Sequence, residues 1–200
     1  MQISEILAII SGITHTIAYL DYNRQVLKGV TKPNGATWLI WSVIATVSTG
    51  SYLKATGDSW KSVIPLLNIA LCIATLIFAL CLKRFKKPDA MDFVALTIGI
   101  FAVVVWKQYG SAKYANLIVQ FAILAGFIPT WRAIIKNPLC EHARPWWIWT
   151  IGYGLAIIVV ILRWSDQWYD LVYPINCIVL HSSVALLGMI TQHIKRRKDK

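Results

Sequence analysis

The sequence has 200 residues, of which 57% are hydrophobic and only 14% are charged. Because about a quarter of the residues in a soluble domain are charged, this composition excludes an ordinary soluble domain and predicts an all-α integral membrane protein. In such a protein the net charge of +11 is first a signal of orientation, and no basic and aromatic stretch indicates a nucleic-acid partner.

Seven apolar segments are each predicted to cross the membrane as a helix, a task that takes about 20 residues. The first lacks the basic start and the small-residue cleavage site of a signal peptide, so it is predicted to be a span. A Lys-Pro-Asn-Gly turn signal follows it, and a basic connector at residues 83–89 follows the third. The predicted spans are 3–22, 36–54, 61–82, 92–106, 114–131, 145–162 and 168–193.

The pattern of the first three segments returns 108 positions later, without a gap. Trp, Asp and Asn are rare in apolar sequence, so matches between them favour an internal structural repeat. Two pairs of membrane helices with similar interfacial Trp residues are the alternative, but they leave the Asp and Asn matches unexplained. The identical pairs are Arg24/Arg132, Lys28/Lys136, Trp38/Trp146, Ile40/Ile148, Trp41/Trp149, Asp58/Asp166, Trp60/Trp168 and Asn68/Asn176.

This repeat predicts two three-helix bundles joined by a linker helix. Equivalent helices are four spans apart, so both bundles point the same way through the membrane, and the fourth helix is what makes this possible. The predicted division is a first bundle at 1–83, a basic loop and linker helix at 84–110, a second bundle at 111–194 and a basic tail at 195–200.

The distribution of Lys and Arg predicts the orientation. Of the 20 such residues, 15 fall on the side of the loop at 23–35 and the remaining 5 on the other side. Because the positive side of a membrane protein faces the cytoplasm, we expect a multi-pass protein of the cell membrane with its N-terminus outside and its C-terminus in the cytoplasm.

Two amides carry the site hypothesis. Asn68 lies about eight residues inside its helix, or about 12 Å deep, and Asn176 should match it by symmetry. The pair either binds the hydroxyls of a neutral polar solute or clamps helices together. Trp41 and Trp149 are candidates for the floor of the cavity, with room for a monosaccharide or nucleoside above them. One turn nearer the water, Trp38 and Trp146 are candidates for the same site or for an interfacial belt.

The remaining polar residues of the spans extend this hypothesis. Asn116 and Gln120 share one face of the fifth span and could reach the cavity. His15 and His181 fall near mid-membrane and are either pH-sensing groups or satisfied core residues. No Asp or Glu lies in the middle third of a span, which favours transport that is not coupled to protons or sodium. The four cysteines show no metal-type spacing, so neither a metal ion nor a cofactor is expected.

Three motifs resemble those of known membrane proteins. Residues 129–132 (Pro-Thr-Trp-Arg) resemble the proline-glutamine motif of PQ-loop proteins, with Thr in the place of Gln. Residues 146–149 (Trp-Trp-Ile-Trp) resemble the W-x-x-W motif of the PnuC vitamin-precursor transporters, and residues 173–176 (Tyr-Pro-Ile-Asn) resemble a Pro-Asn motif of the SWEET sugar facilitators. This resemblance to SWEET, SemiSWEET and PnuC proteins implies a seven-helix transporter.

The sequence therefore predicts facilitated diffusion of a small neutral polar solute, sugar-like or nucleoside-like, by alternating access. A PQ-loop-like seven-helix receptor or interaction protein is the alternative. No nucleophile-and-base set or phosphate loop is present, so an enzyme is not expected. The expected partners are the lipid bilayer and the solute, without nucleic acid, and oligomerisation is left open.

Overall fold

The structure is a computed structural model that describes residues 1–31, 35–83, 88 and 90–198, with the side chains of 35, 36 and 195–198 left out. The predicted turn at 32–34, most of the basic connector at 83–89 and the last two residues of the tail lie outside the described residues.

The described residues form seven α-helices and one short 3-10 helix, Trp168–Leu171, and they contain no β-strand. Six helices are long and apolar enough to cross a membrane. The remaining helix, α2, contains several Ser and Thr residues, which lower its mean hydropathy. The helices are α1 (Ile3–Leu27), α2 (Gly35–Thr56), α3 (Val63–Cys81), α4 (Ala90–Tyr109), α5 (Ala112–Lys136), α6 (Ala143–Leu162) and α7 (Val172–Lys198).

Local signals in the sequence set several helix ends. Glu5 accepts a hydrogen bond from the backbone N–H of Gln2 at 3.0 Å, and Ser111 accepts one from the N–H of Tyr114 at 3.4 Å. Both satisfy donors that a helix N-terminus leaves unpaired. Gly57 and Gly110 follow α2 and α4 with φ of 64°, a left-handed conformation that glycine adopts at little cost.

Several predicted boundaries are wrong. The fifth span was expected to end at Trp131, yet α5 runs on to Lys136 past Pro129, because one missing backbone hydrogen bond does not end a helix that its neighbours support. The fourth span was expected at 92–106, but α4 is longer at both ends and has 20 residues, Ala90–Tyr109. The predicted tail is not separate either, since α7 continues to Lys198.

Helices α3 and α7 each pack against two other helices. Thus α3 contacts both α1 and α2, and α7 contacts both α5 and α6. Across the molecule α1 packs on α6 and α2 packs on α5, while α4 packs on α5 and α2. One cluster of buried residues joins α1, α2, α3, α5, α6 and α7, and a second one joins α2, α4 and α5.

Candidate solute-binding site

A central cavity lies in this core, and six helices line it. It has about 30 Å³ of space for the centre of a water-sized molecule. Every helix except α4 supplies side chains to its wall. The lining residues are Tyr19, Trp41, Ile44, Ala45, Ser48, Thr49, Asn68, Ile123, Phe127, Tyr153, Tyr173, Cys177 and His181.

Asn68 is the centre of the polar wall on the α1–α3 side. Its Oδ1 accepts a hydrogen bond from the hydroxyl of Tyr19 at 2.6 Å, and it lies 3.2 Å from Nε2 of His15. Since Oδ1 is an acceptor, the His15 Nε2 carries the proton in this pair. The Asn68 Nδ2 group makes no hydrogen bond with a described residue, which leaves two donors for a solute.

Two more lining residues have unpaired polar atoms. Trp41 Nε1 and Ser48 Oγ are buried and have no hydrogen-bond partner among the described residues. Native proteins pair the large majority of such groups. Together with Asn68 Nδ2, these two atoms are donors of cavity-lining residues that have no protein partner among the described residues.

The α5–α7 side adds hydroxyls and an imidazole. The hydroxyl oxygens of Tyr153 and Tyr173 lie 3.4 Å apart. His181 Nδ1 donates to the backbone carbonyl of Cys177 at 2.7 Å, so a neutral ring keeps Nε2 as an acceptor. The cavity thus offers both donors and acceptors, and its described lining residues include no Asp, Glu, Lys or Arg.

Aromatic rings close the cavity on the side of the α1 C-terminus. The Trp41 and Phe127 rings lie 4.9 Å apart, and Trp149 contacts Tyr19 at 4.9 Å and His181 at 5.5 Å. Trp38 and Trp146 are buried beneath this layer. They are therefore core residues rather than members of an interfacial belt, and neither one lines the cavity.

A buried acid lies beyond these rings, in the α5–α6 loop. Glu141 Oε2 accepts a hydrogen bond from Trp146 Nε1 at 3.2 Å. Burial raises the pKa of Glu141 to about 7, even though the bond from Trp146 acts in the opposite direction. On the same side an ion pair of Arg144 with Asp21 joins α6 to α1.

Two ion pairs close the opposite side. Lys61 Nζ lies 2.6 Å from Asp170 Oδ2, with both side chains buried, and Arg163 Nε lies 2.6 Å from Asp58 Oδ2. Burial acts to raise the pKa of Asp58, but hydrogen bonds from Arg163 and a backbone N–H hold it below its usual range. Each pair joins the α2–α3 turn to the α6–α7 connection, so in this closed arrangement ion pairs hold the helix ends together on both sides of the cavity.

The structure does not place Asn176 opposite Asn68. Asn176 Nδ2 donates to the side-chain and backbone oxygens of Gln120 at 3.2 Å, on the outer surface between α5 and α7. Gln120 in turn donates to the backbone oxygen of Asn116 at 3.0 Å, and Asn116 lies within 3.5 Å of acceptors on α2. These three amides tie helices together, and none of them lines the cavity.

A one-residue change in register explains this difference. Pro65 and Pro174 are each the third residue of their helix, 109 positions apart. At that offset Asn68 corresponds to Cys177, because the longer α6–α7 connection turns α7 by about 100°. The buried residues of α3 match buried residues of α7 in this register: Ile64/Tyr173, Pro65/Pro174, Cys72/His181, Thr75/Val184 and Ala79/Gly188.

Of the other predicted site residues, two line the cavity and two lie next to it. Trp41 and His181 line the cavity as Asn68 does, whereas Trp149 and His15 lie just behind the lining. Sequence reasoning missed Tyr19, Tyr153, Tyr173 and Cys177. The proline register would have indicated Cys177, but no motif in the sequence distinguishes the three tyrosines from the other tyrosines of the chain.

The volume of the cavity corrects a further expectation. A space of 30 Å³ holds about two water-sized molecules, so the closed arrangement has no room for a monosaccharide or nucleoside.

Among the described residues, no cluster of three His, Cys, Asp or Glu residues could hold a metal ion.

No family model, curated protein or solved structure matches the chain. The chain is assigned to no family. Its likeness to SWEET and PnuC proteins stays a prediction.

Proposed function

We propose that the protein is a membrane transporter for a small neutral polar solute. The observation that carries this proposal is the polar wall of the central cavity. Asn68 lies in that wall, and the buried Trp41 Nε1 and Ser48 Oγ of two further lining residues have no hydrogen-bond partner among the described residues. Buried polar atoms without partners cost free energy, and a solute that brings hydroxyls or amides would offset that cost.

The proposed architecture is two parallel three-helix bundles, α1–α3 and α5–α7, joined by α4 as a linker. Equivalent pairs of helices are in contact in both bundles: α1 packs on α3 as α5 does on α7, and α2 packs on α3 as α6 does on α7. Between the bundles, α1 packs on α6 as α5 does on α2. This pattern is what a two-fold axis along the membrane normal produces. By the excess of Lys and Arg, the ends joined by Asp21 and Arg144 face the cytoplasm and the N-terminus faces outward.

Transport follows from opening the two ends in turn. Breaking Lys61–Asp170 and Asp58–Arg163 would free the outer side, and breaking Asp21–Arg144 would free the inner side. Rocking of one bundle against the other would enlarge the cavity to the size of a solute. The described lining offers no carboxylate to carry a coupling ion, so we propose equilibration without accumulation and no enzymatic activity.

The small volume of the cavity favours one alternative. A cavity for about two water-sized molecules also suits a seven-helix receptor or interaction protein in which the polar atoms only fix the core. This alternative predicts no flux of any solute.

Uptake into proteoliposomes separates the two functions. Radiolabelled hexoses, pentoses and nucleosides are tested with protein-containing and empty vesicles of equal lipid composition. The transporter equilibrates at least one solute and shows counterflow. Absence of flux for the whole set supports the receptor, and accumulation driven by an imposed pH gradient overturns uncoupled transport and assigns His15 and His181 to proton transfer.

A further inference from the structure

A second hollow lies on the outer surface of the assembly, between α5 and α7. Its volume is about 510 Å³, within the range of 300–1,000 Å³ found for ligand sites. We call it the α5–α7 groove. It is lined by Gln120, Phe121, Leu124, Trp168, Leu171, Val172, Ile175, Asn176 and Val179.

The walls of the groove are apolar and open outward. Phe121, Ile175 and Val179 are 64%, 45% and 57% exposed. The hydrogen-bonded amides of Gln120 and Asn176 are the polar exception. Since α5 and α7 are both apolar enough to span a membrane, the medium that faces these walls is hydrocarbon.

A cation lies at one end of the groove. Lys113 Nζ is 4.7 Å from the ring centroid of Tyr169, 5.7 Å from that of Trp168 and 5.8 Å from that of Tyr114. These rings hold the ammonium by cation–π attraction, and Lys113 forms no ion pair with a described residue. Trp168 also lines the groove, so the positive charge and the apolar channel are continuous.

We propose that the α5–α7 groove binds one phospholipid with an anionic headgroup. An acyl chain lies in the groove, and the phosphate pairs with Lys113 at its end. Trp and Tyr are typical of the headgroup level of a bilayer, and a Lys ammonium at that level can pair with a lipid phosphate. This site is separate from the central cavity and does not depend on the transport proposal. A second copy of the chain would cover the apolar walls, but it would not account for the positive charge of Lys113 at the end of the groove.

Native mass spectrometry and thermal shift test the site. The full chain in detergent is titrated with palmitoyl-oleoyl phosphatidylglycerol, with the phosphatidylcholine of the same chains, and with inorganic phosphate. We expect one retained phosphatidylglycerol, a preference over phosphatidylcholine of several-fold, and no stabilisation by inorganic phosphate. Lys113→Gln should remove the preference, whereas Lys107→Gln, a change at an exposed Lys at the end of α4, should keep it.

Filling the groove tests the acyl chain. Val179→Trp and Leu124→Trp, on opposite walls, should each lose the retained lipid, whereas Ile151→Trp on the exposed face of α6 should keep it. Equal lipid retention in a folded Val179→Trp or Leu124→Trp protein overturns the proposal. Equal stabilisation by inorganic phosphate also overturns it. Dissociation of an oligomer in these variants, with bound lipid unchanged, would assign the groove to a contact between copies of the chain.

Discussion

Two asparagines of this chain show how strongly position decides the role of a side chain. Asn68 lines the central cavity, and its Nδ2 group has no hydrogen-bond partner among the described residues. Asn176 Nδ2 instead donates to two oxygens of Gln120 on the neighbouring helix. The two residues match at a spacing of 108, yet their helices differ by one position in register. Only Asn68 is placed to contact a solute in the cavity.

Replacing each asparagine by alanine should therefore have different effects. Asn68→Ala removes a donor from the cavity, so solute affinity per folded molecule should fall about fivefold for about 1 kcal/mol of lost hydrogen bonding. It also removes the acceptor of Tyr19 and His15, so thermal stability should fall as well. Asn176→Ala should lower thermal stability by a similar free energy and leave affinity per folded molecule unchanged. Binding isotherms and melting curves on the same preparations check both. Equal losses of affinity in the two variants would contradict this assignment.

Glu141 should make stability depend on pH. Its pKa is raised to about 7, so between about pH 5 and pH 7 the folded protein holds a proton that the unfolded chain has released. The free energy of unfolding should therefore fall as pH rises through this window, by up to about 3 kcal/mol in total. Melting temperatures in detergent from pH 5 to pH 8 measure the slope.

A matched pair of variants isolates this carboxyl. Glu141→Gln keeps an acceptor for Trp146 but cannot ionise, so the slope should vanish and the protein should be more stable than the wild type at pH 8. Glu5→Gln, near the N-terminus, should keep the slope. A slope that survives Glu141→Gln would assign the pH dependence to another group.

At the scale of the helices, the sequence predicted most of what the structure contains. Hydrophobic length located all seven helices, because about 20 residues are needed to cross a bilayer. Boundaries failed at Pro129 and beyond His193, where packing or continued helix propensity outweighs the local signals. The rotation of α7 could not be read from spacing alone, since one extra residue in a connection moves every side chain of the next helix by about 100°.

Gly126 of α5 packs closely against the indole of Trp41 on α2. A Cβ added at Gly126 would lie 2.9 Å from Trp41 Nε1, too close for an ordinary contact. Gly126→Ala should therefore push the indole into the cavity, destabilise the protein by about 1–3 kcal/mol and weaken solute binding. Melting curves and binding isotherms measure the two effects.

Gly154→Ala is the matched control within a helix. The added methyl would meet only Ile178, at 3.7 Å, and alanine is a better helix former than glycine by about 1 kcal/mol. Stability should hold or rise, and solute affinity should not change. A destabilisation equal to that of Gly126→Ala would show that the loss comes from glycine substitution in general and not from Trp41.

For the whole molecule, the two proposed bundles are alike in packing and unlike in chemistry. At equivalent positions Tyr19 corresponds to Phe127, and Asn68 to Cys177. One half thus offers an amide and a hydroxyl where the other offers an apolar ring and a thiol. Such a cavity is suited to a solute with one polar and one less polar side. The sequence pairs Tyr19 with Phe127 at the spacing of 108 and Asn68 with Cys177 in the proline register, but only the structure shows that all four side chains line one cavity.

The ion pairs between the α2–α3 turn and the α6–α7 connection should control access to the cavity, and labelling of Cys177 measures that access. This thiol lines the cavity and is buried in the closed arrangement. Asp170→Asn leaves the buried ammonium of Lys61 without its counter-ion, a loss that typically costs about 3–5 kcal/mol. The closed state should therefore give way to one that is open at this side, and a membrane-impermeant maleimide should modify Cys177, as followed by peptide mass spectrometry.

The neighbouring Asp166 supplies the control for this experiment. It is exposed, bonds the indole of Trp164 and forms no ion pair with a described residue, so Asp166→Asn should leave Cys177 as protected as in the wild type. Lys61→Met, which removes the cation and leaves Asp170 unpaired, should expose Cys177 as Asp170→Asn does. If Cys177 stays protected in both folded variants, the Lys61–Asp170 pair stabilises the fold without acting as a gate. Labelling of the wild type at the rate of Asp170→Asn would instead show that this end is already open.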